Sequence, residues 1–201
     1  MKEYIITKVN STPDWSKLPS LEIDTPYFET PNDIFAHAQI AYDDNALYVH
    51  LWAEEKDVRA VEEGLLGSPC EDSCLEFFFC PMENDNRYFN IEYNSNGCLY
   101  LGFAGGIKTL VRLVVPRIDE LFCPKIERKE NGWDIKYQIP YSLVRRFFPD
   151  FKAEAGKTIR ANCFKCADLT TPPHYLSWNP VETENFTYHK PEFFGKMVFS
   201  K

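Results

Sequence analysis

The chain has 201 residues, 44% of them hydrophobic and 15% aromatic, which is enough apolar material for a single domain with a sizeable core and too much for a disordered chain. Thirty acidic residues against 22 basic ones leave a net charge of −8, and no Lys/Arg cluster reverses it locally, so nucleic acid is excluded as the expected partner. No apolar run is long enough for a signal-peptide core or a membrane span; no membrane partner is expected, and the chain as written reads as cytoplasmic, or secreted if a leader has already been processed away.

In chain order, the predicted elements are mostly strands. YIITKV near the start, AHAQIAYDD, ALYVHLWAEE, SCLEFFFC, RYFNIEYN and GCLYLGFAG follow one another with Asp-Asn, Pro or Asn-Gly between them. FCPKIERKENGWDIKYQIP reads as a hairpin turning at Asn131-Gly132. YSLVRRFFP, entered after Pro140 and ended by Pro149, is the one good helical candidate, and TIRANCFKCA, HYLSW and GKMVFS complete the set. Roughly ten short strands at this spacing predict an all-β chain, a two-sheet antiparallel β-sandwich of jelly-roll type with one or two short helices, forming one domain over residues 1–201.

The strand Glu71 to Pro81, EDSCLEFFFCP, carries acids inside a hydrophobic run. Alternation sends Ser73, Leu75, Phe77 and Phe79 to one face and Asp72, Cys74, Glu76, Phe78 and Cys80 to the other. The next two strands repeat the pattern, with Phe89, Ile91, Tyr93, Leu99, Leu101 and Phe103 on the apolar side. The opposite surface would gather Asp72, Glu76, Asn90, Glu92, Asn94 and Tyr100. Carboxylates and amides bind hydroxyls and a flat ring covers the C–H face of a pyranose, so this face suits a sugar. Half-exposed antiparallel sheets alternate in any case, so the pattern alone does not establish a site.

From Trp15 to Phe199 the chain resembles the family 9 carbohydrate-binding modules associated with xylanases, and their stand-alone relatives. The matching pieces run in order: Ala46 to Val49, the DSxxEFF run at Asp72 to Phe78, Tyr88 with Asn94 and Gly97, Gly132-Trp133, Ile139-Pro140, Arg160-Ala161-Asn162, Ser177-Trp178 with Pro180, and HKPEFFGKMVF at His189 to Phe199. The resemblance implies a β-sandwich that binds an oligosaccharide or glycoside non-catalytically, between tryptophans and over polar strand residues. It implies Glu76 on the sugar hydroxyls and Trp178 as half of an aromatic clamp. The other clamp tryptophan is replaced by Pro69-Cys70, and Trp52 is the candidate substitute. With Asn90, Glu92, Tyr100 and His174, these make the expected ligand-binding set. No cofactor is required; structural calcium is allowed by the resemblance, with Asp43, Asp44, Glu54, Glu55 and Asp57 as candidate acids.

Two other functional classes stay open on the residues alone. Glu76 and Glu92 on neighbouring strands could form the carboxylate pair of a glycoside-processing enzyme, which a retaining mechanism places about 5 Å apart. A haem-binding sandwich would draw on His50, His174, Met82 or Met197. Cys163 and Cys166 form a CxxC within a predicted strand, where positions three apart face opposite ways, so the pair reads as two semi-buried thiols and not as a zinc site. Seven cysteines without a regular framework suit a reducing compartment.

Overall fold

Alternation and turn punctuation become strands in the computed structural model, which describes residues 1–201. The strands are β1 (Glu3–Lys8), β2 (Leu21–Glu22), β3 (Thr25–Pro26), β4 (Phe35–Tyr42), β5 (Ala46–Glu54), β6 (Cys74–Cys80), β7 (Tyr88–Asn94), β8 (Leu99–Ala104), β9 (Val111–Arg112), β10 (Lys125–Lys129), β11 (Gly132–Pro140), β12 (Thr158–Ala167), β13 (His174–Ser177) and β14 (Gly195–Phe199). Helices are confined to α1 (Ile118–Phe122) and α2 (Tyr141–Val144), apart from single 3-10 turns. The expected helix after Pro140 is shorter than its sequence suggested. Arg146 and Phe147 bond three residues back, tightening the turn, and this brings Phe147 and Phe148 onto Phe89 of β7.

Hydrogen bonding runs β10-β11-β5-β4-β1-β14-β12-β6-β7-β8-β9, with β13 added beside β12. Every pair on this path is antiparallel except those of β1, which is parallel to β14 through Glu3–Ile6 and parallel to β4 through Thr7–Lys8. The all-β expectation therefore holds, while two separate antiparallel sheets are replaced by one curled, mixed sheet. The change follows from β1, which switches partner partway along its length and so joins the two wings.

The wings face each other across a shared core of 38 buried residues. Leu75, Phe77, Phe79, Ile91 and Leu101 lie in it as expected, meeting Leu47, Val49, Leu51, Ile135 and Tyr137 from the other wing; the rings of Tyr93 and Tyr137 are 5.3 Å apart. Each such fully buried large side chain contributes roughly 1.5–3 kcal/mol. The predicted hairpin forms one residue earlier than expected, with Glu130-Asn131 as the turn between the paired Lys129 and Gly132; Gly132 has φ 128°, and a Cβ there would stand 2.0 Å from the Ala53 carbonyl oxygen. Trp133, next to it, is buried and donates its indole N–H to Ser73 Oγ at 2.8 Å.

The other face of β6, β7 and β12 is not the wet surface that alternation suggested. Cys74, Phe78, Cys80, Tyr88, Phe164 and Cys166 form a second apolar cluster with Val181, Tyr188 and Phe194 from the segment following β13. That segment is pinned by polar contacts. Asn162 and Asn179 bond reciprocally at 2.8 and 2.9 Å, Arg160 donates to the Pro191 carbonyl at 2.9 Å, and Tyr88 bonds His189 Nδ1 at 2.8 Å.

Candidate functional site

Three strands bring the polar residues together. Glu76 on β6 stands directly opposite Glu92 on β7, and Glu92 stands opposite Tyr100 on β8. Asn90 lies two residues from Glu92 on the same face, and its Nδ2 donates to Glu92 Oε1 at 2.6 Å. Gly102, opposite Asn90, makes room for this arrangement: a Cβ there would stand 1.8 Å from Asn90 Oδ1 and 2.8 Å from the Tyr100 ring. Asn90 Oδ1 is itself buried and has no hydrogen-bond partner in the chain.

Glu76 and Glu92 are only 3% and 6% exposed, whereas Tyr100 beside them is half-buried. Burial raises the pKa of Glu76, partly offset by the Cys166 thiol that donates to its Oε1 at 2.7 Å. Burial also raises Glu92, and the charge of Glu76 raises it further. Arg112 lies over the Tyr100 ring at 4.2 Å and donates to the carbonyls of Leu66 and Gly67. Cys70 and Asp168 lie close enough for their charges to act on Glu76 and Glu92, and Asp168 is raised by burial against the lowering contacts of Tyr175 and Cys70. None of Glu76, Glu92 and Asp168 is within ion-pair distance of a cation. The arrangement offers several hydroxyl acceptors, one amide and an aromatic edge.

Glu76, Asn90, Glu92 and Tyr100 thus meet, and the other three expected residues do not join them. Trp178 is 3% exposed and belongs to the main core; its ring lies on Gly195, where a Cβ would be 2.5 Å away, so it plugs the sheet and presents no free face. Trp52 is on the outer face of the opposite wing, stacked on His37 at 4.9 Å and on His50 at 4.8 Å, away from Glu76 and Glu92. His174 lies on the core side of β12, where it accepts from Lys165 Nζ at 2.8 Å, with Glu55 Oε2 3.2 Å from the same ammonium. It lines a separate cavity of about 710 Å³ with Glu55, Asp57 and Arg59; another, of about 650 Å³, lies between Arg87 and Phe151. Neither cavity reaches Glu76.

Asp72 and Asn94, placed on the sugar face by alternation, hold a loop instead. Asp72 accepts from Arg59, the Val61 and Glu62 amides and Asn94 Nδ2, which leaves it little capacity for a ligand. The acids considered for calcium do not converge: Asp43 accepts from the Asn45 and Ala46 amides and Tyr48, Asp44 pairs with Lys8 and Glu55 with Lys165. The haem candidates also lie apart, His50 on an outer face, Met197 in the core and His174 against Lys165. Sequence reasoning missed Arg112, Asp168 and Tyr175, which approach Glu76, Glu92 and Tyr100 from segments distant in sequence; Tyr175 within HYLSW and the nearby acid Asp168 were the available signal.

Comparison with known proteins identifies the fold and the family. No curated protein matches the chain. Among solved structures, a proposed carbohydrate-binding protein from Bacteroides uniformis ATCC 8492 is similar at TM-score 0.84 and 27% identity, covering 99% of both chains. A carbohydrate-binding module of family 9 from Caldicellulosiruptor kristjanssonii, solved with glucose and with cellotriose, is similar at TM-score 0.69 and 12% identity, covering 99% of this chain and 96% or 94% of the module. The profile described as carbohydrate-binding family 9 matches residues 11–199, nearly the whole chain, and the chain belongs to that family.

Proposed function

We propose that the recess formed by Glu76, Asn90, Glu92 and Tyr100 binds a terminal sugar or a small glycoside. Family membership makes non-catalytic carbohydrate binding the function of the chain, and the glucose and cellotriose complexes of the C. kristjanssonii module support a gluco-configured ligand. The observation that carries the location is Asn90 Oδ1, a buried acceptor without a partner beside two acids in register. A sugar hydroxyl is the donor such a group needs. Tyr100 supplies the only ring on this rim from the expected set, so stacking is weaker than between two tryptophans and the affinity is modest. The wings are read as the two layers of a sandwich joined by β1, with the site on the outer face of one layer.

Both acids reach the recess from the sheet side, and burial raises the pKa of both. A glycosidase pair instead flanks the scissile bond. The test is calorimetric titration with glucose, cellotriose and xylose-based oligosaccharides, in the wild type and in Glu92→Gln. Saturable binding that weakens about tenfold or more in a variant of unchanged melting temperature is the expected result. Absence of binding to the whole panel, or equal binding by the variant, would overturn the location.

A further inference from the structure

Cys74 on β6 and Cys166 on β12 are directly opposed in the β6–β12 register, and Glu76 projects from the same face two residues beyond Cys74. The two sulfurs and a Glu76 oxygen all lie within 4.8 Å of one another, and all three residues are buried. We propose that Cys74, Cys166 and Glu76 form a binding site for a thiophilic divalent cation such as zinc.

Donor chemistry and spacing both fit. Zinc takes thiolate at about 2.3 Å and carboxylate at about 2.0–2.2 Å in a tetrahedron, so its ligand atoms stand roughly 3.5–3.8 Å apart. Reaching that from the present positions needs side-chain shifts of about 1 Å or less. Calcium, which takes oxygen ligands, does not fit two sulfurs. Glu92, opposite Glu76, is the carboxylate at hand for a fourth position.

Charge supplies an independent argument. Cys70, Cys74, Cys166, Glu76, Glu92 and Asp168 crowd one region, yet the nearest cations are turned elsewhere: Lys165 points to the other face of β12, 3.2 Å from Glu55, and Arg112 lies on Tyr100. A bound dication balances this excess of acidic groups. On binding, the two thiol protons leave, with the Glu76 proton when it carries one, and two metal–sulfur bonds and one metal–oxygen bond form. No oxidant takes part. The pairing differs from the CxxC of the sequence, because Cys163 points into the main core.

The inference shares Glu76, and Glu92 where it fills the fourth position, with the sugar face, so the experiment works through the cysteines. Reduced protein is titrated with cobalt(II) as a spectroscopic probe and then challenged with zinc. One equivalent of cobalt with thiolate-to-metal charge-transfer intensity for two sulfurs, displaced by zinc, is expected. Cys74→Ala and Cys166→Ala should each weaken binding about a hundredfold or more, with Cys163→Ala unchanged. Absence of a charge-transfer band in the wild type, wild-type binding in Cys166→Ala, or loss in Cys163→Ala with retention in Cys74→Ala would each overturn the site. If the alanine variants at 74 and 166 do not fold, the two-thiolate intensity in the wild type and in Cys163→Ala decides. Sugar titration of Cys166→Ala, which keeps Glu76, Asn90 and Glu92, distinguishes failure of the metal site from failure of the sugar face.

Discussion

Gly102 leaves open the space above β8 into which the Asn90 amide and the Tyr100 ring project. Gly102→Ala would place a methyl 1.8 Å from Asn90 Oδ1, so the amide must swing away and give up its bond to Glu92. The expected cost is about 1 to 3 kcal/mol of stability, with sugar binding reduced by more than that loss explains. Urea unfolding and calorimetric titration check the two parts; unchanged affinity would remove Asn90 from the site. Trp178→Ala should behave in the opposite way. Its buried ring on Gly195 predicts a loss of about 3 to 5 kcal/mol, with the folded fraction binding sugar as the wild type does. Abolished binding in a stable Trp178→Ala protein would return the ring to the site. Alternation along two neighbouring strands made Glu76, Asn90 and Glu92 legible, since period two fixes a face. It could not place Trp178, because a tryptophan near prolines reads alike as platform or plug. The Cys74–Cys166 pair was hidden further, because only the β6–β12 register brings two residues so distant in sequence together.

Glu55, just past β5, ties that strand to β12 and β13. Burial acts to raise its pKa, but the Lys165 charge, with His174 beside the carboxylate and the hydrogen bonds of Ser73 and Lys165, outweighs burial and brings it to about 2, against an ordinary value of 4.5. Between those values the unfolded chain binds the proton and the folded chain does not, so stability rises with pH there. The contribution is complete above 4.5 and disappears as pH falls towards 2; its size is on the order of 3 kcal/mol. Glu76 and Glu92 shift in the opposite direction, so the informative quantity is the difference between wild type and Glu55→Gln. That difference should be several-fold larger at pH 6 than at pH 2.5 in urea midpoints, and a pH-independent difference would show that the pair carries no net charge interaction. The strands that build this contact were legible from alternation and turn residues. The two-residue strands β2, β3 and β9 were not, being too short to show a period.

At the scale of the molecule, the motif pieces that carried the family resemblance hold the fold more than they touch a ligand. Asn162, Arg160, Asn179 and His189 fasten the segment between β13 and β14 over the second apolar cluster. The order of these pieces along the chain therefore located the family and left the ligand contacts to geometry. The parallel role of β1 had no signature, because partners are chosen by residues at both ends of the chain. It can be tested directly. β1 pairs with β14 through its first part and with β4 through its last two residues, while Tyr4 and Ile6 enter the core. Removing residues 1–8 would open both β14 and β4 as unpaired edges and expose apolar surface from the two wings at once. Since the wings share one core, neither should remain folded alone: the truncated chain is expected to lose its cooperative urea transition and to associate, as read by circular dichroism and size-exclusion chromatography. A monomeric truncated chain with the wild-type midpoint would show that the wings are held by core packing alone and that β1 is dispensable as their junction.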